Sequence, residues 1–102
     1  MARYQWDPAK NAGLLQHRRI SFEEIVWHIA EGHLLDVLIS ERAKYKGQKQ
    51  FVVEVQGYAY LVPFVEEGKV IVLKTVIPSR KLTKQYLRKG GTVDGATEPR
   101  GT

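Results

Sequence analysis

Apolar residues recur at two different periods along this chain. Phe22, Ile25, Val26 and Ile29 recur at helical spacing, with Glu23, Glu24 and His28 among the intervening positions. That spacing is the stripe of an amphipathic helix. Ser21 precedes the stripe and Glu24 follows three positions later, the two members of a capping box. Gly32 supplies a stop, so the pattern predicts a helix over 22–31. An earlier helix starts at Asp7-Pro8, where Asp accepts an orphan backbone N–H and Pro loses no hydrogen bond. It runs to about His17, weakened slightly by Gly13.

From Leu34 the period changes to two. Leu34–Ser40 reads as a strand and Glu41–Gln48, polar and containing Gly47, as a loop. Phe51, Val53 and Val55 alternate with Val52, Glu54 and Gln56, which is strand spacing. Gly57 marks a turn, Tyr58–Val65 a further strand, Glu66-Glu67-Gly68 a hairpin turn, and Val70–Ile77 the last strand. Pro63 cannot donate to a ladder, so it predicts either a bulge or an unpaired side. Pro78 ends the strand, and Ser79 caps a third helix over 80–88. At helical spacing Arg80, Lys81, Lys84 and Arg88 fall within an arc of about 100°, with Leu82 and Tyr86 opposite. Gly90-Gly91 ends that helix. The expected organisation is one domain over 1–89 and a flexible Gly/Thr/Pro-rich tail over 90–102. The expected architecture is α+β: two N-terminal helices on one face of a four-stranded antiparallel meander, a closing basic helix, and the other sheet face free.

Composition narrows the chemistry. A chain of 102 residues fits one domain with one modest core. It has no cysteine, which excludes a disulfide framework and a thiolate zinc site. No apolar run approaches a membrane span, and the N-terminus lacks the apolar region of a signal peptide. A cytoplasmic location with no membrane partner is the expectation.

The net charge of +5 is unevenly distributed. Residues 1–68 carry eight Lys/Arg against nine Asp/Glu, whereas 69–93 carry seven Lys/Arg and no acid. A local excess of this kind points to a polyanion or an acidic protein partner, though a solvated helix face carries the same signature.

No phosphate-binding glycine loop, His-x-x-x-His pair or nucleophile elbow is present. His17, His28 and His33 read as isolated surface or capping groups, and the carboxylates form no acid–base pair. Neither a metal nor a cofactor is expected. The basic set remains. Lys74 shares a strand face with Val70, Val72 and Val76 by parity, and Arg80, Lys81 and Lys84 follow at the strand–helix junction. Such a cluster can hold phosphates and stabilise a phosphorane oxyanion without a metal. Tyr58, Tyr60 and Phe64 alternate on one strand face, and Tyr86 lies on the helix. Aromatics beside cations suit stacked bases, although the first three also fit a core, which is the weightier reading. Trp6 and Trp27 read as packing residues.

Trp6-Asp7-Pro8-Ala9-Lys10, Ile20-Ser21-Phe22-Glu23-Glu24 and Ile77-Pro78-Ser79-Arg80-Lys81 resemble, in order and spacing, segments of the BrnT family of toxins. The Gly57–Val65 block resembles a BrnT-like subset. The resemblance covers about residues 4–88. It implies the compact fold of the RelE/ParE toxin superfamily and a metal-independent endoribonuclease that directs the RNA 2′-OH onto the adjacent phosphate. It further implies a DNA-binding antitoxin as partner, with a homo-oligomer also open. The resemblance carries over Arg80 as the arginine of the family's closing segment, with Lys81 beside it and Lys84 one turn on. Taken with the basic set read from the residues, Arg80, Lys74 and Lys81 are the expected catalytic set, and Lys84, Arg88, Lys49 and Tyr86 are expected to bind RNA. Lys49 stands in for a strand arginine of the family. The family's first helix ends Asn-x-x-x-His-Gly. Here His17 is displaced by one position, and Arg19 stands where glycine would be. Three readings share the basic face: an RNA-cleaving toxin, a non-catalytic RNA- or antitoxin-binding module, and a superfamily toxin acting on a protein such as gyrase.

Overall fold

The computed structural model of the protein describes residues 3–39 and 48–88. The order is β1 (Arg3–Gln5), α1 (Pro8–Arg18), α2 (Phe22–Ala30), β2 (Leu34–Ile39), β3 (Lys49–Val55), β4 (Tyr58–Glu67), β5 (Val70–Leu73), β6 (Ile77–Pro78) and α3 (Arg80–Thr83). Helix α3 continues as a π-helical stretch over Lys84–Arg88. The chain is α+β, as its two hydrophobic periods predict. The expected loop falls almost wholly on 40–47, and the glycine stop and tail beyond Arg88 likewise lie outside the described residues.

The helix ends form where the capping residues place them. Asp7 accepts from the Ala9 amide at 2.9 Å. Ser21 accepts from the Glu24 amide at 3.1 Å, and Glu24 reaches back to the Ser21 amide at 3.2 Å. Helix α2 closes through Gly32 at φ 91°, with the His33 amide donating to the His28 carbonyl at 2.9 Å. This is a Schellman turn, and it needs the left-handed conformation that glycine adopts freely.

The sheet is larger than a meander and not wholly antiparallel. Its order is β1-β5-β4-β3-β2, with β6 also on β4. Strands β2 to β5 pair antiparallel in sequence order, but β1 adds a parallel edge to β5, with Tyr4 opposite Ile71. The expected last strand is divided. β5 ends at Leu73, Lys74–Val76 form a connector, and Ile77–Pro78 return to pair with Leu61 and Tyr60. Pro63 explains the division. The Pro63 carbonyl accepts from the Lys74 amide at 2.9 Å, so its missing N–H also faces this side, between the β5 and β6 pairings. Of the two outcomes the sequence allowed, the interrupted side is the one found. No ladder bond is lost there.

Helices α1 and α2 cover one sheet face. Phe22, Ile25, Leu14 and Ile20 pack against Phe51, Val53, Val62, Phe64, Leu73 and Val76. Phe51 and Phe64 stack with ring centroids 4.0 Å apart. The opposite face is not left free. Val52 and Ala59 point there by parity, yet both are fully buried. The C-terminal helix covers them. Thr83 binds Ala59 at one end, and Tyr86 reaches Asp36 on β2 at the other.

Candidate nucleic-acid interface

Helix α3 is fixed at its start by a short polar network. The Ser79 amide donates to the Ala59 carbonyl at 3.0 Å, and its hydroxyl caps the Leu82 amide at 3.1 Å. Thr83 is 1% exposed. Its hydroxyl accepts from the Ala59 amide at 2.8 Å and donates to the Ser79 carbonyl at 2.7 Å. Both roles of the hydroxyl are therefore used, which makes a polar residue tolerable in a buried place. The inward side is thus Thr83 together with half-buried Leu82, Tyr86 and Leu87, rather than Leu82 and Tyr86 alone. The change to π-helical winding at Lys84 turns the later residues away from simple helical phase.

Arg80, Lys81 and Lys84 are all exposed on this helix. None is in an ion pair among the described residues. Arg88 closes the π-helical stretch, and its side chain lies outside the described residues. Lys74 is exposed on the connector before β6. It does not share a strand face with Val76, because the strand ends at Leu73 and Val76 turns into the core. Lys49 sits apart, 2.8 Å from the Glu66 carboxylate across β3 and β4. The Tyr86 hydroxyl donates to Asp36 at 2.6 Å. Hydrogen bonding to Tyr86, and then to the Val37 amide, holds the Asp36 carboxyl below its ordinary value. The same contact, with desolvation, raises the Tyr86 phenol.

Of the aromatic row on β4, Phe64 belongs to the core, whereas Tyr58 and Tyr60 are half-buried and meet edge to face with centroids 5.7 Å apart. Trp6 packs on Phe22 at 5.7 Å. Trp27, read as a packing residue, is 57% exposed.

Two arrangements escape the sequence reading. His28 and His33 are not isolated: their Nδ1 atoms lie 2.9 Å apart. The ring centroids are 5.1 Å apart, close to a head-on arrangement, so the contact is an N–H···N hydrogen bond rather than two lone pairs converging on a metal. The positions are those whose side chains commonly meet across a Schellman turn, which is the one signal the sequence offered. Asn11, 9% exposed, joins the two N-terminal helices. Its oxygen accepts from the Phe22 amide at 2.8 Å, and its amide donates to Glu23 at 2.7 Å. That contact is the main reason the Glu23 carboxyl is lowered.

A second basic surface lies along α1. An open cleft of about 450 Å³ is lined by Lys10, Gly13, His17, Arg18 and Thr75, among others. One guanidinium nitrogen of Arg18 donates to the Val76 carbonyl and ties α1 to the connector. Among the described residues no group of three or more His, Asp or Glu side chains is placed to hold a metal.

No protein-family model and no curated protein sequence matches the chain. Among solved structures, a crystal structure of a YafQ point mutant from E. coli is similar, at 12% identity and a TM-score of 0.46. The match covers 80% of this chain and 98% of that one.

Proposed function

We propose that this protein is an RNA-directed toxin that acts as a metal-independent endoribonuclease and is silenced by a partner antitoxin. The observation that carries the reading is the outer face of the C-terminal helix. Arg80, Lys81 and Lys84 project from it, unpaired among the described residues, while its inner side is anchored through Thr83. Cations not committed to an internal carboxylate remain available to phosphates, and binding them releases condensed counterions. A guanidinium beside ammonium groups can orient the scissile phosphodiester and neutralise the charge that develops as the 2′-oxygen attacks. The order and spacing of the BrnT-like segments support the same reading. Lys49, paired with Glu66, and Tyr86, bonded to Asp36, then contribute at the margin.

A non-catalytic RNA-binding module is the second reading. Residues 80–88 contain neither a carboxylate nor an imidazole, so the helix grips without an obvious proton acceptor of its own.

Induced expression of the wild type and of the Arg80→Ala/Lys84→Ala variant separates these readings, with growth followed and new RNA 5′ ends mapped. Arrest with fresh cleavage sites in the wild type alone supports the ribonuclease. Salt-dependent RNA binding without new ends supports the module. Cleavage undiminished in the double variant removes the basic helix from the site.

A further inference from the structure

Gly13 stands in the middle of an eleven-residue helix, where glycine weakens the helix relative to alanine. Packing does not require it. Among the described residues a Cβ added there would meet nothing within 4 Å, and its φ is not in the left-handed region. What the missing side chain leaves is space, and that space belongs to the cleft along α1.

The helix places Lys10, Gly13, Leu14, His17 and Arg18 at successive separations of three, one, three and one, which is a single helical face. Leu14 turns into the core and fixes the azimuth of that face. Lys10 and His17 flank the space left by Gly13, and Arg18 is held against the connector by the Val76 carbonyl. A guanidinium has five N–H donors, so this bond leaves others free. Thr75 lines the opposite wall. The cleft therefore has two cationic side chains, an imidazole and a hydroxyl around a floor where Gly13 has no side chain and Ala9 and Leu14 add apolar surface. Among the described residues no carboxylate lines it.

We propose that this cleft binds a phosphate group, that of an RNA strand whose neighbouring phosphates lie on the basic helix. Lys10 supplies a point charge, Arg18 a directed donor, Thr75 a hydroxyl and His17 a ring nitrogen. Gly13 keeps the floor open. The proposal rests on the RNA reading for its ligand class. It adds a second contact region, on a different element from Arg80, Lys81 and Lys84. Lys74 sits next to Thr75 on the connector that leads from one region to the other.

The test is a titration of the whole protein, read at the His17 imidazole C–H resonances. The probes are inorganic phosphate, uridine 3′-monophosphate and a short oligoribonucleotide with 2′-deoxy substitution to prevent cleavage. Saturable shifts at His17 are expected with all three, tightest with the oligonucleotide; a shift with the two small probes alone would assign the cleft to free phosphate and overturn the RNA assignment. Gly13→Leu, which fills the floor without touching a charge, should abolish the shift, and Lys10→Ala should weaken binding about tenfold, the size of one charge-assisted contact. Lys69→Ala removes the same charge from the β4–β5 turn and should leave binding within about twofold. Unmoved His17 resonances, or wild-type affinity in a folded Gly13→Leu variant, would overturn the site. The two proposals fail differently. RNA bound in the cleft but left intact sinks the ribonuclease alone, whereas full-rate cleavage by Gly13→Leu sinks the cleft alone.

Discussion

The Tyr86 hydroxyl donates to Asp36 Oδ2 at 2.6 Å, joining the π-helical stretch to β2 across fifty residues of sequence. The bond lowers the Asp36 carboxyl and raises the Tyr86 phenol, so it leaves a signature at both ends of the pH scale. A depressed carboxyl contributes stability that is complete above its unfolded value and is lost as pH falls through the folded one. A raised phenol contributes stability that is complete below its unfolded value of about 10 and is lost as pH rises through the folded one. The stability difference between the wild type and Tyr86→Phe should therefore be greatest near neutrality and shrink toward acid and alkali. Urea denaturation across a pH series measures it, and a difference independent of pH would exclude this coupling.

Arg19 closes α1 at φ 58°, in the left-handed region. A side chain with a Cβ is strained there, and glycine is not. Arg19→Gly should stabilise the protein by about 0.5–1 kcal/mol, the relief being partly offset by the greater freedom of glycine in the unfolded chain. Arg19→Ala, which keeps the Cβ, should give no such gain. Chemical denaturation of the two variants side by side provides the comparison.

The elements legible in the sequence are those whose determinants are local. Asp7, Ser21 with Glu24, and Ser79 announce helix starts within three or four residues, and alternation announces β3 and β4. What was not legible depends on distant partners. Arg3–Gln5 become a strand only because Val70–Val72 offer a parallel edge. The strand expected over 70–77 breaks because Pro63, on a different strand, interrupts the ladder. In the candidate site, the exposure of Arg80, Lys81 and Lys84 follows from the helical arc. The ion pair of Lys49 and the bond of Tyr86 do not, since Glu66 and Asp36 meet them only through sheet register and helix packing. The α1 cleft had a local trace in Gly13, but the space above it needed the connector to become a site.

Thr83 is the buried pin of the basic helix, and its hydroxyl is the reason. Thr83→Val keeps the shape but leaves the Ala59 amide without a partner, at a cost of about 1–3 kcal/mol for an unsatisfied buried donor. Thr83→Ser retains the hydroxyl and should recover much of the loss. If valine were as stable as threonine in thermal and urea unfolding, the Ala59 contact would not be holding the helix.

The grip on RNA can be measured through its salt dependence. For single strands, the logarithm of affinity falls with the logarithm of salt concentration by about 0.7 for each phosphate neutralised. Arg80, Lys81 and Lys84 are exposed and unpaired among the described residues, so replacing any one with alanine should reduce the slope by about that amount. Lys49 already faces Glu66 at 2.8 Å. A cation neutralised within the protein releases fewer counterions on binding, so Lys49→Ala should change the slope much less. Fluorescence anisotropy with an uncleavable oligoribonucleotide, repeated over a range of salt, gives each slope. A slope that Lys49→Ala flattens more than Arg80→Ala would move the RNA from the helix to the β3–β4 rim, because counterion release reports which cations meet phosphate whether or not cleavage follows.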